Sequence, residues 1–267
     1  MGTLRDRMWI WGHVAGSHNT GWHLPADSRM TPVEAAYYLD VRTLIMVCYG
    51  GLPQPPFDQH ALAHSTLDRV VWSIVGDSGS KRNDEQSDLD EVLRVAAKHP
   101  NITGAMMDDF FHAEKDTGSA DVGRYTSDEL REFQRRLHEE VRRLDLWVVL
   151  YEHELHLDVA RHLEFCDVVT FWTWNAPDLA ELEANFARFE EKAGSARKVL
   201  GCYMWDYGLK RPMPVECMEK QCELARQWIR SGRIEGMIFL SNCVCDLGLE
   251  AVEWTRRWVA RVGDEEV

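Results

Sequence analysis

The residues of this chain best equipped for chemistry are acids that stand directly after apolar runs. Asp108 and Asp109 close the stretch Gly104-Ala105-Met106-Met107 and are followed by Phe110 and Phe111. Two adjacent carboxylates repel each other, and each resists the loss of water. A chain that places them at the end of a buried run has a use for them. Glu152 and Glu154 follow a second apolar run, and Asp206 stands between Trp205 and Tyr207 after a third. Acids gathered around one pocket supply an acid and a base, or an acid and a nucleophile, when their surroundings split their proton affinities.

Aromatic and hydrogen-bonding residues occupy equivalent places. His13 and His18 follow the first apolar run, Tyr49 the second, and Asn242 the last. Trp22, Trp172, Trp174, Asn175, Trp205 and Tyr207 lie beside such run ends, in a chain with 11 tryptophans. Flat apolar faces next to carboxyl pairs suit a sugar ring, and glycoside hydrolysis uses two carboxyl groups. One of Asp108 and Asp109 is the expected nucleophile or general base. Glu152 or Glu154 is the expected general acid, with Asp206 in reserve. His13, His18, Asn175 and Asn242 are expected to bind hydroxyls, and Tyr49 and the Trp and Tyr residues to shape subsites. On a regular strand alternate side chains face opposite ways. One of Asp108 and Asp109 is therefore expected inward and the other against the next loop or strand. Glu152 and Glu154 share a parity, so both are expected inward.

Competing chemistries rest on fewer residues. His13, His18, His112 and His153 fall near run ends and, with the acids, could hold a divalent metal for a lyase or isomerase. No His-x-His or His-Glu-x-x-His spacing supports this, and a lone His there is more often a hydrogen-bonding residue, so no metal and no cofactor is expected. A barrel that binds sugar without catalysis is a further alternative. Ser17 beside His18 is a weak nucleophile pair, and no Gly-x-Ser-x-Gly elbow is present.

The elements that position these residues follow from hydrophobic periodicity. Short apolar runs alternate with amphipathic ones roughly eight times. Strands are expected at Met8–His13, Leu44–Tyr49, Arg69–Val75, Ile102–Asp108, Leu146–Glu152, Asp167–Trp172, Val199–Trp205 and Gly236–Ser241. Their near-continuous apolar character suits a parallel sheet covered on both faces. Thr31-Pro32-Val33-Glu34 and Thr126-Ser127-Asp128-Glu129 read as capping boxes, the second opening a helix through about Arg143. Ser87, Asp178 and Pro214 mark further helix starts. Met218, Cys222, Ala225 and Ile229 repeat at helical spacing and read as core packing, as do Trp72 and Trp228. Alternating β and α leaves a doubly wound sheet or a closed barrel. Eight repeats and the absence of a Gly-rich dinucleotide fingerprint select an α/β fold, a single (β/α)8 TIM barrel spanning residues 1–267. Barrel enzymes work at the C-terminal ends of their strands, where the polar and aromatic residues collect here. The loop from Gly50 to about Ala61, with Pro53, Pro55 and Pro56, is a candidate stiff lid.

Composition narrows the partners. The formal net charge is −14, and no Lys/Arg-rich run interleaves with aromatics, so neither nucleic acid nor an anionic membrane is an expected partner. The acidic end Asp264-Glu265-Glu266 reads as solvated charge. Seven cysteines, an odd number in mostly apolar contexts, suit a reducing compartment. Met1 to Trp11 carries charges and no long apolar run, unlike a signal peptide, so a cytoplasmic location is expected. A small-molecule or oligosaccharide substrate is the expected partner; Trp254 and Trp258, four apart on the last helix, read as packing, although an outward-facing Trp there would suit a homodimer.

The whole chain resembles a compact (β/α)8 barrel of the glycoside-hydrolase type, through "MMDDFF", "LYEHEL", "FWTWN" and "YMWDYG" at the fourth to seventh strand ends. The resemblance implies a carbohydrate-active hydrolase with an acid at the end of strand four. The chain lacks the Asn-Glu pair of cellulase-like barrels and the Asp-x-Asp-x-Glu run of chitinase-like ones, so which carboxyl is acid and which is nucleophile stays open. "GSHN" (16–19) also looks like the first motif of phosphatidylinositol-specific phospholipase C barrels, and "YLDVR" (38–42) faintly like the second, although Tyr49-Gly50 stands where the second histidine would follow.

Overall fold

The computed structural model describes residues 2–84, 86–112 and 121–267. Eight parallel strands close into a barrel: β1 (Met8–Gly12), β2 (Thr43–Met46), β3 (Arg69–Val75), β4 (Ile102–Met107), β5 (Asp145–Tyr151), β6 (Val168–Trp172), β7 (Arg197–Tyr203) and β8 (Gly236–Leu240). Each strand pairs with its neighbours in sequence, and β1 pairs with β8 through Met8–Met237 to Trp11–Leu240. Eight α-helices lie among the described residues: α1 (Pro32–Leu39), α2 (Asp58–Ala63), α3 (Leu89–Ala96), α4 (Ser127–Glu139), α5 (Ala160–Leu163), α6 (Leu182–Ala193), α7 (Val215–Arg230) and α8 (Glu250–Val262). This is a (β/α)8 TIM barrel.

Inside the barrel, large aromatics meet small residues. Trp9 and Trp147 pack edge to face at 5.2 Å, and so do Trp11 and Trp172. Gly201 makes room for Trp172, since a Cβ there would fall 2.0 Å from its ring. Outside, both capping boxes form. The Thr31 and Thr126 hydroxyls accept from the Glu34 and Glu129 N–H groups, which satisfies donors orphaned at a helix start. Met218, Cys222, Ala225 and Ile229 all turn inward from α7.

The differences from expectation lie at element ends. Helix α4 stops at Glu139 rather than near Arg143. The Arg142 guanidinium instead donates to the carbonyls of Ala96, His99 and Ile102 beneath β4. Strand β7 ends at Tyr203, and Trp205–Asp206 pair antiparallel with Arg211–Pro212 in a small hairpin. Asp178 lies within a 3-10 turn, Ala176–Glu181, ahead of α6. On α8, Trp258 is buried and donates its indole N–H to Glu223, while Trp254 stacks on it half-buried. The pair therefore packs, as its spacing suggests. The acidic end is partly paired, with Glu265 bound by Arg226. All seven cysteines are free, and six are buried. Among the described residues no helix is long and apolar enough to cross a membrane.

Candidate active site

A cavity of about 880 Å³ opens at the C-terminal ends of the strands. Every barrel strand contributes to it, either by its last residues or by the loop that follows. Asp108 and Asp109 both line it. The alternation rule fails here because β4 stops at Met107 and Asp109 takes a left-handed backbone, φ +40°. A non-glycine residue in that region costs about 1 kcal/mol, and such residues gather at functional sites. Three contacts hold the conformation. The Asp109 N–H donates to Asp108 Oδ1 at 3.0 Å, the Tyr151 hydroxyl donates to Asp109 Oδ1 at 2.9 Å, and the Ser78 N–H donates to Oδ2 at 3.0 Å. Burial pushes the Asp108 carboxyl well above the usual range, and the neighbouring Asp109 and Asp77 push it further. Asp108 therefore holds its proton more tightly than an exposed carboxyl would.

The remaining acids divide. Glu152 lines the cavity from the turn after β5, and its Oε2 accepts from the Trp174 N–H at 3.0 Å. Glu154 does not line it. The chain enters a 3-10 turn at Glu152, so strand parity no longer holds, and Glu154 folds back to accept the Tyr151 N–H at 2.8 Å. Burial pushes its carboxyl up to about 8. Asp206 does not line the cavity either. It is fully buried in the small hairpin, where it accepts from the Leu209 N–H and from Arg211.

The expected ring and amide residues also divide. His13, His18, Trp22, Tyr49, Trp172, Trp174, Asn175 and Tyr207 line the cavity. Trp205 does not; its indole N–H donates to the Trp22 carbonyl and so fixes a lining residue from behind. Asn242 is fully buried and ties β8 to β1, accepting from the His13 N–H and donating to the His13 and Met30 carbonyls. The His13 Nε2 accepts from the Trp11 indole, leaving Nδ1 to face the Val47 carbonyl at 3.4 Å. Burial takes this imidazole down to about 4, and it also holds His18 well below the ordinary range. Both are neutral. His18 Nδ1 lies 3.0 Å from the Tyr207 hydroxyl.

Trp11, Asp77, Ser78, Tyr151, His153, Asp178 and Tyr203 also line the cavity without having been expected there as substrate residues. Asp77-Ser78 carried the same strand-end signal as the chosen residues. Tyr151 stood at the expected end of the fifth strand, whereas Tyr203 lay two residues inside the expected seventh strand and reaches the cavity because β7 ends there. Among the described residues no group of three or more His, Cys, Asp or Glu is placed to hold a metal. His112 lies outside the cavity lining, and His153 stacks on Tyr151 at 5.1 Å. The Pro-rich loop after Tyr49 packs beside the β3 loop, where Gly50 donates to Asp77 and Gly51 to Ser80. The two short phospholipase-like stretches are separated, because Arg42 precedes β2 at the opposite end of the barrel from Gly16–Asn19.

No protein-family model matches the sequence, and no curated protein matches it. Solved structures do share the fold. Active domain 2 of a chitinase from Pyrococcus furiosus superposes with a TM-score of 0.60 at 12% identity, covering 98% of this chain and 97% of that one. The glycoside hydrolase domain of PgaB (BpsB) from Bordetella bronchiseptica gives 0.53 at 10% identity over 98% and 99%. A family 18 chitinase from Cycas revoluta in complex with allosamidin gives 0.57 at 10% over 94% and 98%. The barrel is thus one that glycoside hydrolases use, at identities that speak to fold alone.

Proposed function

We propose that this protein is a glycoside hydrolase whose reacting groups are Asp108 and Asp109 on β4 and Glu152 after β5. One observation carries the reading. Two adjacent acids both line a cavity walled by tryptophan and tyrosine, one with its proton affinity raised by burial and the other locked by two donors in a left-handed backbone. Hydrolysis of a glycosidic bond needs one group to protonate the departing oxygen and one to stabilise or attack the anomeric carbon while water replaces the leaving sugar. Asp109 and Glu152 stand on neighbouring strand ends and supply those two carboxyl groups. Asp108, its proton affinity raised by burial and by Asp109, lies beside that pair. Glu154 and Asp206 are assigned structural roles.

The test is reducing-sugar release from a panel of oligosaccharides by the wild type, Asp109→Asn and Glu152→Gln, with circular dichroism as the folding control. The wild type should turn over at least one substrate in the presence of a chelator, and each variant should lose about a hundredfold or more of that rate. Turnover retained in both variants refutes the assignment. Activity lost to chelator and restored by a divalent cation would replace it with metal-dependent chemistry.

A further inference from the structure

Resting on that reading, we infer that the sugar bound in this cavity carries a free amine, held as its ammonium by the acidic lining and the aromatic faces around it. Asp77, Asp108, Asp109, Glu152 and Asp178 all line the cavity, and no Lys or Arg does so among the described residues. His13 and His18 are neutral, which leaves His153, drawn up by Glu152, as the lining side chain able to carry positive charge.

Two oxygens mark where a donor is missing. Asp108 is only 6% exposed, and one of its oxygens accepts from the Asp109 N–H. The other has no donor among the described residues. Glu152 Oε1 faces the His153 Nδ1 at 3.8 Å, beyond hydrogen-bond range. A bound ammonium would supply N–H donors to such oxygens. It would also relieve the repulsion that Asp109 and Asp77 exert on Asp108. The walls suit a cation too. Trp22, Trp174 and Tyr207 form one contiguous group, with Trp22 5.9 Å from Trp174 and 5.2 Å from Tyr207. The Trp22 face already receives the Lys210 ammonium at 5.5 Å. Aromatic faces attract cations through their quadrupole. An anionic sugar would meet carboxyl groups with no Lys or Arg to receive it.

Isothermal titration of the wild type with matched monosaccharides tests this. The probes are glucosamine, N-acetylglucosamine and glucuronate, and the corresponding galacto series. In at least one series the amine should bind about tenfold tighter than its N-acetyl partner. Its affinity should fall several-fold between roughly 50 and 300 mM salt, and the uronate should not bind. Asp178→Asn should weaken the amine more than it weakens the neutral sugar. N-acetyl sugar or uronate binding as tightly as the amine, a preference insensitive to salt, or no amine binding at all overturns the inference. Hydrolysis of neutral oligosaccharides without amine preference would overturn it and leave the hydrolase reading standing. Amine binding without turnover of any oligosaccharide would do the reverse.

Discussion

Glu154→Gln separates a catalytic acid from a buried structural one. The Glu154 carboxyl accepts the Tyr151 N–H at 2.8 Å and lies outside the cavity lining. Burial raises it from an ordinary 4.5 to about 8. The folded protein therefore holds a proton that the unfolded chain releases near 4.5. A group bound more tightly to its proton in the native state favours folding at low pH. Its contribution is complete below the unfolded value and is lost as pH rises through the folded one. The slope is about 1.4 kcal/mol per pH unit, which makes a loss on the order of 3 kcal/mol by pH 7. Glutamine keeps an acceptor for the Tyr151 N–H and does not ionise. Its extra amide donors, if unpaired, cost about 1–2 kcal/mol at every pH, so the test lies in how the difference changes with pH. Urea unfolding followed by tryptophan fluorescence should show the variant gaining roughly 3 kcal/mol on the wild type between about pH 4.5 and pH 7. Turnover should stay near wild type. A difference that is flat across pH refutes the buried-acid argument, and a hundredfold loss of turnover in a folded variant returns Glu154 to the chemistry.

Tyr151→Phe removes one of the two donors on Asp109, and a hydrogen bond to a charged group is worth about 1.5–3 kcal/mol. A fall in kcat of roughly ten- to a hundredfold with little change in Tm is expected, read by steady-state kinetics and calorimetry. Gly201→Ala drives a methyl into the Trp172 ring at the cavity base. It should cost about 1–3 kcal/mol of stability and raise KM for the best substrate. Asp206→Asn weakens the bond to Arg211 in the hairpin, so urea unfolding should show a loss of about 1–2 kcal/mol while turnover persists.

Most of the barrel was legible because its signals are local. Continuous apolar runs of strand length, separated by capping boxes at Thr31 and Thr126, select buried parallel strands between helices without any tertiary knowledge. Strand ends were legible to within three residues, and that sufficed to point at His13, Tyr49, Asp108, Glu152 and Trp172. What sequence could not show was set by contacts from distant segments. Helix α4 ends early because Arg142 finds three carbonyls beneath β4. Strand β7 ends early because residues 205–206 pair with 211–212, which withdraws Asp206 and Trp205 from the cavity lining. Glu154 leaves its parity partner because a tight turn begins at Glu152.

The paired acids show why the site is harder to read than the scaffold. Periodicity describes a strand only while the strand lasts, and chemistry begins where it stops. Asp108 and Asp109 both reach the cavity because one residue adopts a conformation that the local sequence disfavours, held there by an N–H from the β3 loop and a hydroxyl from β5. Those donors lie 31 and 42 residues away in sequence. Removing either leaves the strain without its compensation. No lining Lys or Arg among the described residues relieves the repulsion between the acids, which Asp77 increases at Asp108, and a cationic ligand entering the cavity would supply that relief.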